Sequence, residues 1–180
     1  MTQTSISLHG VYLDIFGVGV FLTGHSGIGK SEIALGLISR GHLLIADDST
    51  EFHFIPETNE VVGKSHPLLR NFLEVRGLGV LNIKAMFGEK AVRDHAKLEL
   101  VVHLADLRDE EIKNSDRLHG IHNTLPILGK NIARVVVPVA AGRNLSVLIE
   151  SAVRAHRLRH EGYDAAQDFI DRQRELLNES

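Results

Sequence analysis

Short apolar runs alternate with glycine and polar segments along the chain, and these runs predict a series of strands. The predicted strands are residues 11–16, 18–23, 43–46, 50–55, 60–63, 98–104 and 133–139. Gly17 separates the first two strands, so we expect them to form a hairpin.

Apolar residues at helical spacing predict helices in the remaining segments. The predicted helices are residues 32–40, 145–159 and 165–177, with short helices near 66–72 and at 83–88. The polar segment 106–124 is expected to be a mobile surface loop. Strands interleaved with helices predict a single α/β domain that covers residues 1–180.

A glycine-rich segment joins the second predicted strand to the first predicted helix. It is Gly24-His25-Ser26-Gly27-Ile28-Gly29-Lys30-Ser31, which has the G-x-x-x-x-G-K-S spacing of a phosphate-binding loop. Its glycines let backbone N–H groups surround phosphate oxygens, and the helix N-terminus adds positive partial charge. Lys30 would bridge the β- and γ-phosphates of ATP, and the Ser31 hydroxyl would hold Mg²⁺. The alternative is a chance glycine turn, which the correct flanks on both sides disfavour.

Two of the predicted strands end in aspartate. Asp47 and Asp48 follow strand 43–46, and Asp106 follows strand 98–104. Carboxylates at strand ends lie where α/β sheets bind ligands. Neighbouring side chains of a strand point to opposite faces, so one aspartate could face Mg²⁺ while the other accepts a proton from a hydroxyl. A solvated acidic turn is the alternative, and it applies more strongly to Asp106.

Other candidate groups carry weaker signals. Closely spaced glycines in segment 73–79 would allow close approach of a ligand, with Glu74 and Arg76 beside it, but a tight turn or β-bulge is favoured. Arg117 and Arg143 are the arginines that could assist phosphoryl transfer.

Several of the eleven histidines lie in informative positions. His156 and His160 are one helical turn apart, and a solvated basic face is favoured there over a metal site. His119 and His122 are expected to be exposed. His9 lies beside the strands that lead to the phosphate loop.

Composition limits the classes of function. The chain has 180 residues, a net charge of −3, 5% aromatic residues and no tryptophan, which disfavours nucleic-acid binding. It has no cysteine, so disulfides and thiolate metal sites are excluded. Neither a signal-peptide pattern nor an apolar run long enough to span a bilayer is present, so a cytoplasmic protein without membrane contact is expected.

The chain resembles the catalytic domain of HPr kinase/phosphorylase, the bifunctional enzyme of bacterial sugar-uptake regulation. The matching segments are residues 9–11, 24–32, 40–42, 46–48, 73–79, 87–88, 116–118, 137–139, 142–144 and 162–166. Segments 73–79 and 142–144, in this order, are the most specific. The resemblance implies a P-loop kinase domain with a mixed β-sheet flanked by helices.

The resemblance also implies an activity. With ATP and Mg²⁺ the enzyme would phosphorylate a regulatory serine of the phosphocarrier protein HPr, and with phosphate it would remove that group and release pyrophosphate. Segment 138–143 would serve mainly dephosphorylation, and the last helix would help to dock HPr. A homo-hexamer is implied.

The same resemblance implies the roles of individual residues. Asp48 would take the serine proton in the kinase direction and return it in the other, while Asp47 would support the metal. Ser31 and Glu74 would hold Mg²⁺. The active site would be completed by Lys30, His9 and Arg117.

Two features depart from the family pattern. His25 stands at the second position of the phosphate loop, where the family usually has an acidic residue. Long members of the family carry an N-terminal domain ahead of this region, whereas eight residues precede His9 in this sequence. The alternatives are therefore a related short kinase acting on another protein or small-molecule hydroxyl, and a catalytically silent nucleotide-binding module. Intact Asp47, Asp48, Lys30 and Glu74 argue against the silent module.

Overall fold

The computed structural model describes residues 4–178, in which strands and helices alternate. The strands are β1 (Ser5–His9), β2 (Val11–Ile15), β3 (Val18–Thr23), β4 (Leu43–Ala46), β5 (Ser49–Ile55), β6 (Glu60–Ser65), β7 (Phe72–Val75), β8 (Gly79–Asn82), β9 (His95–Asp106), β10 (Ile121–Ile127) and β11 (Lys130–Val139). The helices are α1 (Lys30–Ser39), α2 (Ile83–Phe87), α3 (Glu110–Lys113), α4 (Leu145–His160) and α5 (Ala165–Asn178), with single 3₁₀ turns at Pro67–Leu69 and Glu89–Ala91.

Nine of the strands form one mixed sheet. Its main order is β1-β5-β6-β9-β3-β2-β4, and the β10–β11 hairpin joins it through β11, which pairs with β9. β9 is parallel to β3 and β11, whereas the other pairs are antiparallel. Thr23 at the end of β3 pairs with His103 near the end of β9. The segments that follow these two strands therefore emerge at the same edge of the sheet.

Buried side chains of the sheet form two apolar clusters. Leu13 of β2 belongs to a cluster with Leu37 of α1 and Ile149 of α4. The next residue along β2, Tyr12, belongs to a second cluster with Phe21. Because successive strand residues point to opposite faces, the two clusters lie on the two sides of the sheet. Helices α1 and α4 thus cover one face of the sheet. This packing holds α1, the helix that follows the phosphate loop, against the sheet.

The structure confirms most of the predicted elements but corrects segment 106–124. Residues Glu110–Lys113 form a helix, and a strand begins at Ile121, so the prediction of a loop throughout was wrong. Residues 122–124 of β10 are polar because they lie exposed on an outer strand, where pairing with β11 rather than burial holds the backbone. Near residues 66–72 the expected helix is only a 3₁₀ turn, after which β7 begins at Phe72.

Within residues 4–178 no helix combines the length and apolar character needed to cross a membrane.

Candidate active site

The glycine-rich loop connects β3 to α1 as the sequence predicts. Gly24 has φ +154°, and a Cβ there would lie 2.9 Å from Cγ2 of Ile28 and 3.0 Å from the Leu104 carbonyl oxygen. Gly29 caps α1 in the left-handed conformation, with φ +104°. Both positions favour glycine, because other residues would be strained or crowded.

Lys30 lies across the phosphate loop. Its Nζ donates hydrogen bonds to the carbonyl oxygens of Gly24, at 2.9 Å, and His25, at 3.0 Å. These two neutral acceptors hold the ammonium at the loop, where a phosphate group would lie. Ser31 follows in the first turn of α1. Ser31 and Lys30 both line a cavity beside the loop.

The turn between β4 and β5 carries the two candidate aspartates. The backbone N–H of Ser49 donates to the Asp47 carbonyl oxygen at 2.7 Å, and Asp48 has φ +62°, which is unusual for a residue with a Cβ. The N–H of Gly10 donates to the Asp48 carbonyl oxygen at 3.1 Å and holds this tight turn against β2.

Each carboxylate has its own neighbour. Asp47 Oδ2 accepts a hydrogen bond from the backbone N–H of Glu74 at 2.9 Å. Asp48 Oδ1 lies 3.5 Å from Nδ1 of His9. Asp47 is half-buried, whereas the Asp48 side chain is 80% exposed and can meet a substrate from solvent.

Segment 73–79 forms the β7–β8 hairpin, so the favoured prediction of a tight turn is confirmed. The hydrogen bond from Leu78 N–H to the Val75 carbonyl oxygen, 3.0 Å long, closes the turn. Glu74 and Arg76 flank Val75 and reach the same cavity as the phosphate loop. The structural and functional interpretations of this segment are therefore compatible.

These elements surround one cavity of about 310 Å³. Its lining residues are Gly10, Val11, Ser26, Gly27, Gly29, Lys30, Ser31, Glu32, Asp47, Asp48, Glu74 and Arg76. The sequence left Arg76 as a weak candidate and assigned no role to Gly10 or Val11. Segments 9–11 and 73–79, which match the family pattern, contain the only signal that could have indicated these three residues.

The charges around the cavity suit a divalent cation. Burial raises the pKa of Asp47, and the nearby charges of Asp48 and Glu74 raise it further. A cation would relieve this repulsion. Among residues 4–178 no three histidine, cysteine or acidic side chains form a complete metal cage. Mg²⁺ fits this arrangement, since it commonly takes one or two carboxylates and completes its shell with phosphate oxygens and water.

Some predicted residues lie away from the cavity. Arg117 is exposed in the turn before β10, and Nη1 of Arg143 donates to the Pro138 carbonyl oxygen at 2.9 Å. Gly24, His25 and Ile28 of the loop do not line the cavity. Nε2 of His25 instead lies 2.8 Å from Oδ2 of Asp106.

The remaining histidines follow the prediction in part. His119 and His122 are exposed, as expected. His160 is exposed, but His156 is half-buried, and burial lowers its pKa. The predicted solvated face of α4 is therefore wrong at His156, because α4 packs on β9 and β11 there.

Known proteins resemble this chain in sequence and in fold. The family model for the HPr Serine kinase C-terminal domain matches residues 2–173. HPr kinase/phosphorylase of Neisseria meningitidis serogroup C is 51% identical over 173 residues, which are 96% of this chain and 53% of that protein. The Nitrosomonas europaea HPr kinase/phosphorylase is 53% identical over 173 residues, again 96% of this chain and 53% of that protein. The chain thus spans about half the length of the curated relatives it matches.

A solved structure is also similar. The Hpr(Ser) kinase/phosphatase from Coxiella burnetii superposes with a TM-score of 0.82 at 35% sequence identity, covering 91% of this chain and 98% of that one. This likeness confirms the fold expected from the sequence, a P-loop kinase domain with a mixed sheet flanked by helices.

Proposed function

Because the chain belongs to the family of HPr serine kinase C-terminal domains, we propose that it phosphorylates a regulatory serine of HPr with ATP and Mg²⁺. In the reverse direction it removes that phosphate with inorganic phosphate and releases pyrophosphate. The observation that carries the proposal is the exposed Asp48 carboxylate on the same cavity as Lys30 and the phosphate loop. This arrangement suits transfer to a hydroxyl that arrives from solvent.

The phosphate loop binds the nucleotide in this proposal. Backbone N–H groups around Ser26 and Gly27 contact phosphate oxygens, and Lys30 exchanges its two carbonyl acceptors for the β- and γ-phosphates. Ser31 and Glu74 hold Mg²⁺, with Asp47 supporting the site. The bound metal would neutralise charge on the phosphates.

Asp48 handles the proton. In the kinase direction its carboxylate accepts the proton of the serine hydroxyl, whose oxygen bonds to the γ-phosphorus while the bond to the bridging oxygen of ADP breaks. In the reverse direction an oxygen of inorganic phosphate bonds to the phosphoserine phosphorus. The bond to the serine oxygen breaks, pyrophosphate forms, and Asp48 returns the proton. His9 beside Asp48 and Arg117 from its exposed turn complete the proposed site.

The wider assignments rest on the family. We propose a single catalytic domain that assembles as a homo-hexamer in the cytoplasm, without nucleic-acid or membrane partners. The last helix, α5, helps to dock HPr, and segment 138–143 serves dephosphorylation. Phe169, which is 49% exposed on α5, gives that helix an apolar contact surface.

The test is incubation with HPr, γ-labelled ATP and Mg²⁺, followed by excess phosphate. We expect label on an HPr serine that then leaves as pyrophosphate. ATP binding without labelled HPr would favour the short kinase with another acceptor. Tight ATP binding without transfer to any protein or small-molecule hydroxyl would favour the silent nucleotide-binding module.

A further inference from the structure

The His25 ring lies between two hydrogen-bond acceptors. Its Nδ1 is 2.8 Å from the Ser26 carbonyl oxygen, and its Nε2 is 2.8 Å from Oδ2 of Asp106. Neither a carbonyl nor a carboxylate can donate, so both ring nitrogens must carry hydrogen. Only the imidazolium form of His25 satisfies this geometry.

Charged groups on two elements surround this ring. Lys30 lies on the phosphate-loop side, while Asp106 and His103 come from β9. The Ser26 carbonyl raises the pKa of His25 most, followed by the hydrogen bond to Asp106, and Lys30 opposes them. Burial lowers the pKa of His103, and Arg134 lowers it further, so His103 loses its proton at a lower pH than His25 does.

The peptide held by His25 belongs to the phosphate site. In a trans peptide the C=O and the following N–H point in opposite directions. Fixing the Ser26 carbonyl toward the ring therefore fixes the direction of the Gly27 N–H. Ser26 and Gly27 both line the cavity, although the His25 ring does not.

We propose that Asp106 is a positioning residue of the phosphate site that acts through His25, whose imidazolium clamps the Ser26 peptide to the end of β9. A further hydrogen bond holds Asp106 itself, because its backbone N–H donates to Oδ2 of Asp109 at 3.1 Å. This inference rests on the proposed nucleotide site. It adds a determinant of phosphate affinity at the loop position where the chain departs from the family.

The clamp depends on pH. A histidine whose folded pKa is raised keeps its proton-dependent contact below the ordinary value and loses it as the pH rises through the raised value. The phosphate loop is accordingly held at pH values below the raised pKa of His25 and released at pH values above it. Asp106→Asn keeps an acceptor for Nε2 but removes the charge, so release then occurs at lower pH.

Sulfate is the first probe, because its charge does not change between about pH 5.5 and about pH 8.5, where histidine titrates. Calorimetry measures its affinity, and that of Mg-ATP, for the wild-type protein, Asp106→Asn and His25→Gln. We expect wild-type affinity to fall about threefold to tenfold across the pKa of His25, from loss of one nearby charge and of the fixed loop. The midpoint moves to lower pH in Asp106→Asn, and the step disappears in His25→Gln.

NMR titration of the His25 ring proton tests the clamp without a ligand. His119→Gln is the matched control, since His119 forms an exposed pair with Asp116, 2.6 Å apart, outside the cavity lining. It should keep the wild-type profile. The inference fails if the step survives in His25→Gln, or if Asp106→Asn leaves the midpoint of His25 unchanged. Absence of both sulfate and Mg-ATP binding at every pH would overturn the proposed function and this inference with it, whereas binding without a pH step overturns this inference alone.

Discussion

Nδ1 of His9 lies 3.5 Å from Oδ1 of Asp48, and both side chains are largely open to solvent, at 89% and 80% exposure. The pairing of β1 with β5, which sets His9 opposite Ser49, brings them together. Because Asp48, the proposed proton acceptor, is this exposed, it can reach a hydroxyl on the surface of a folded protein. A folded protein could not enter an enclosed cavity.

Replacing the proposed base should separate binding from transfer. We expect Asp48→Asn to reduce phosphoryl transfer in both directions by about a hundredfold to ten-thousandfold, the usual contribution of a positioned base. ATP affinity should stay near wild type, because the phosphate loop and Lys30 are unchanged. Labelled-phosphate assays and calorimetry measure the two quantities.

The matched control is Asp94→Asn, which removes an exposed carboxylate that pairs with Arg70. It should transfer phosphate normally. Near-normal transfer by Asp48→Asn would show that the base is a different residue.

Glu74 should control the metal requirement. Glu74→Gln removes one of the carboxylates that face the cavity but leaves the backbone N–H that donates to Asp47. We expect the Mg²⁺ concentration for half-maximal activity to rise about tenfold, the scale of losing one charged ligand contact. Glu57→Gln, in the exposed turn between β5 and β6, is the control. An unchanged Mg²⁺ requirement in Glu74→Gln would remove Glu74 from the metal site.

Local sequence predicted the phosphate loop and its flanks well. Gly24, Gly29 and Lys30 belong to one continuous strand–loop–helix unit, so their spacing along the sequence determines their geometry. The sequence also predicted the position of Asp47 and Asp48, because the end of an apolar strand marks the position of the turn. Most elements in this part of the sheet match the predicted ranges.

Contacts between distant segments could not be predicted in the same way. The hydrogen bond from Glu74 N–H to Asp47 spans 27 positions, and the pair of His25 with Asp106 spans 81. Both depend on which strands become neighbours, which no local pattern specifies. The polar start of β10 was missed for a related reason, since an exposed strand needs a pairing partner and not an apolar pattern.

Gly19 should be essential to the strand that leads to the phosphate loop. A Cβ at this position would lie 1.9 Å from the Lys97 carbonyl oxygen and 2.4 Å from the Tyr12 hydroxyl oxygen. Both neighbours are fixed, because β3 pairs with β9 there and the Tyr12 hydroxyl donates to the Ala96 carbonyl oxygen. Gly19→Ala should therefore reduce the free energy of unfolding by about 2–4 kcal/mol through overpacking.

Urea denaturation measures this effect, with Ser7→Ala on the exposed side of β1 as the control. That control should change the free energy of unfolding by less than about 0.5 kcal/mol. Wild-type stability of Gly19→Ala would mean that β3 and β9 are less closely paired than the structure has them.

Glu150 joins the end of the phosphate-loop helix to α4. Its two carboxylate oxygens accept hydrogen bonds from Nε of Arg40 at 2.8 Å and Nη2 at 2.7 Å, and Nε2 of the buried His42 lies 2.7 Å from Oε1. The Arg40 hydrogen bonds, with a smaller contribution from His42, lower the pKa of Glu150 to about 2. The Glu150 side chain is 12% exposed, so this contact should affect stability.

The stabilisation by Glu150 should disappear in acid. A carboxyl group with a lowered folded pKa stabilises the protein above its unfolded pKa, and this contribution is lost as the pH falls through the folded pKa. We expect Glu150→Gln to reduce the free energy of unfolding at neutral pH by about 1–2 kcal/mol, less than the full shift implies because Arg40 is partly exposed. Urea denaturation should show the difference shrinking as the pH falls from about 4.5 toward about 2. Glu161→Gln, exposed just after α4, should show little change at any pH. A Glu150→Gln deficit that stays constant into acid would mean that packing, and not the ion pair, connects α1 to α4.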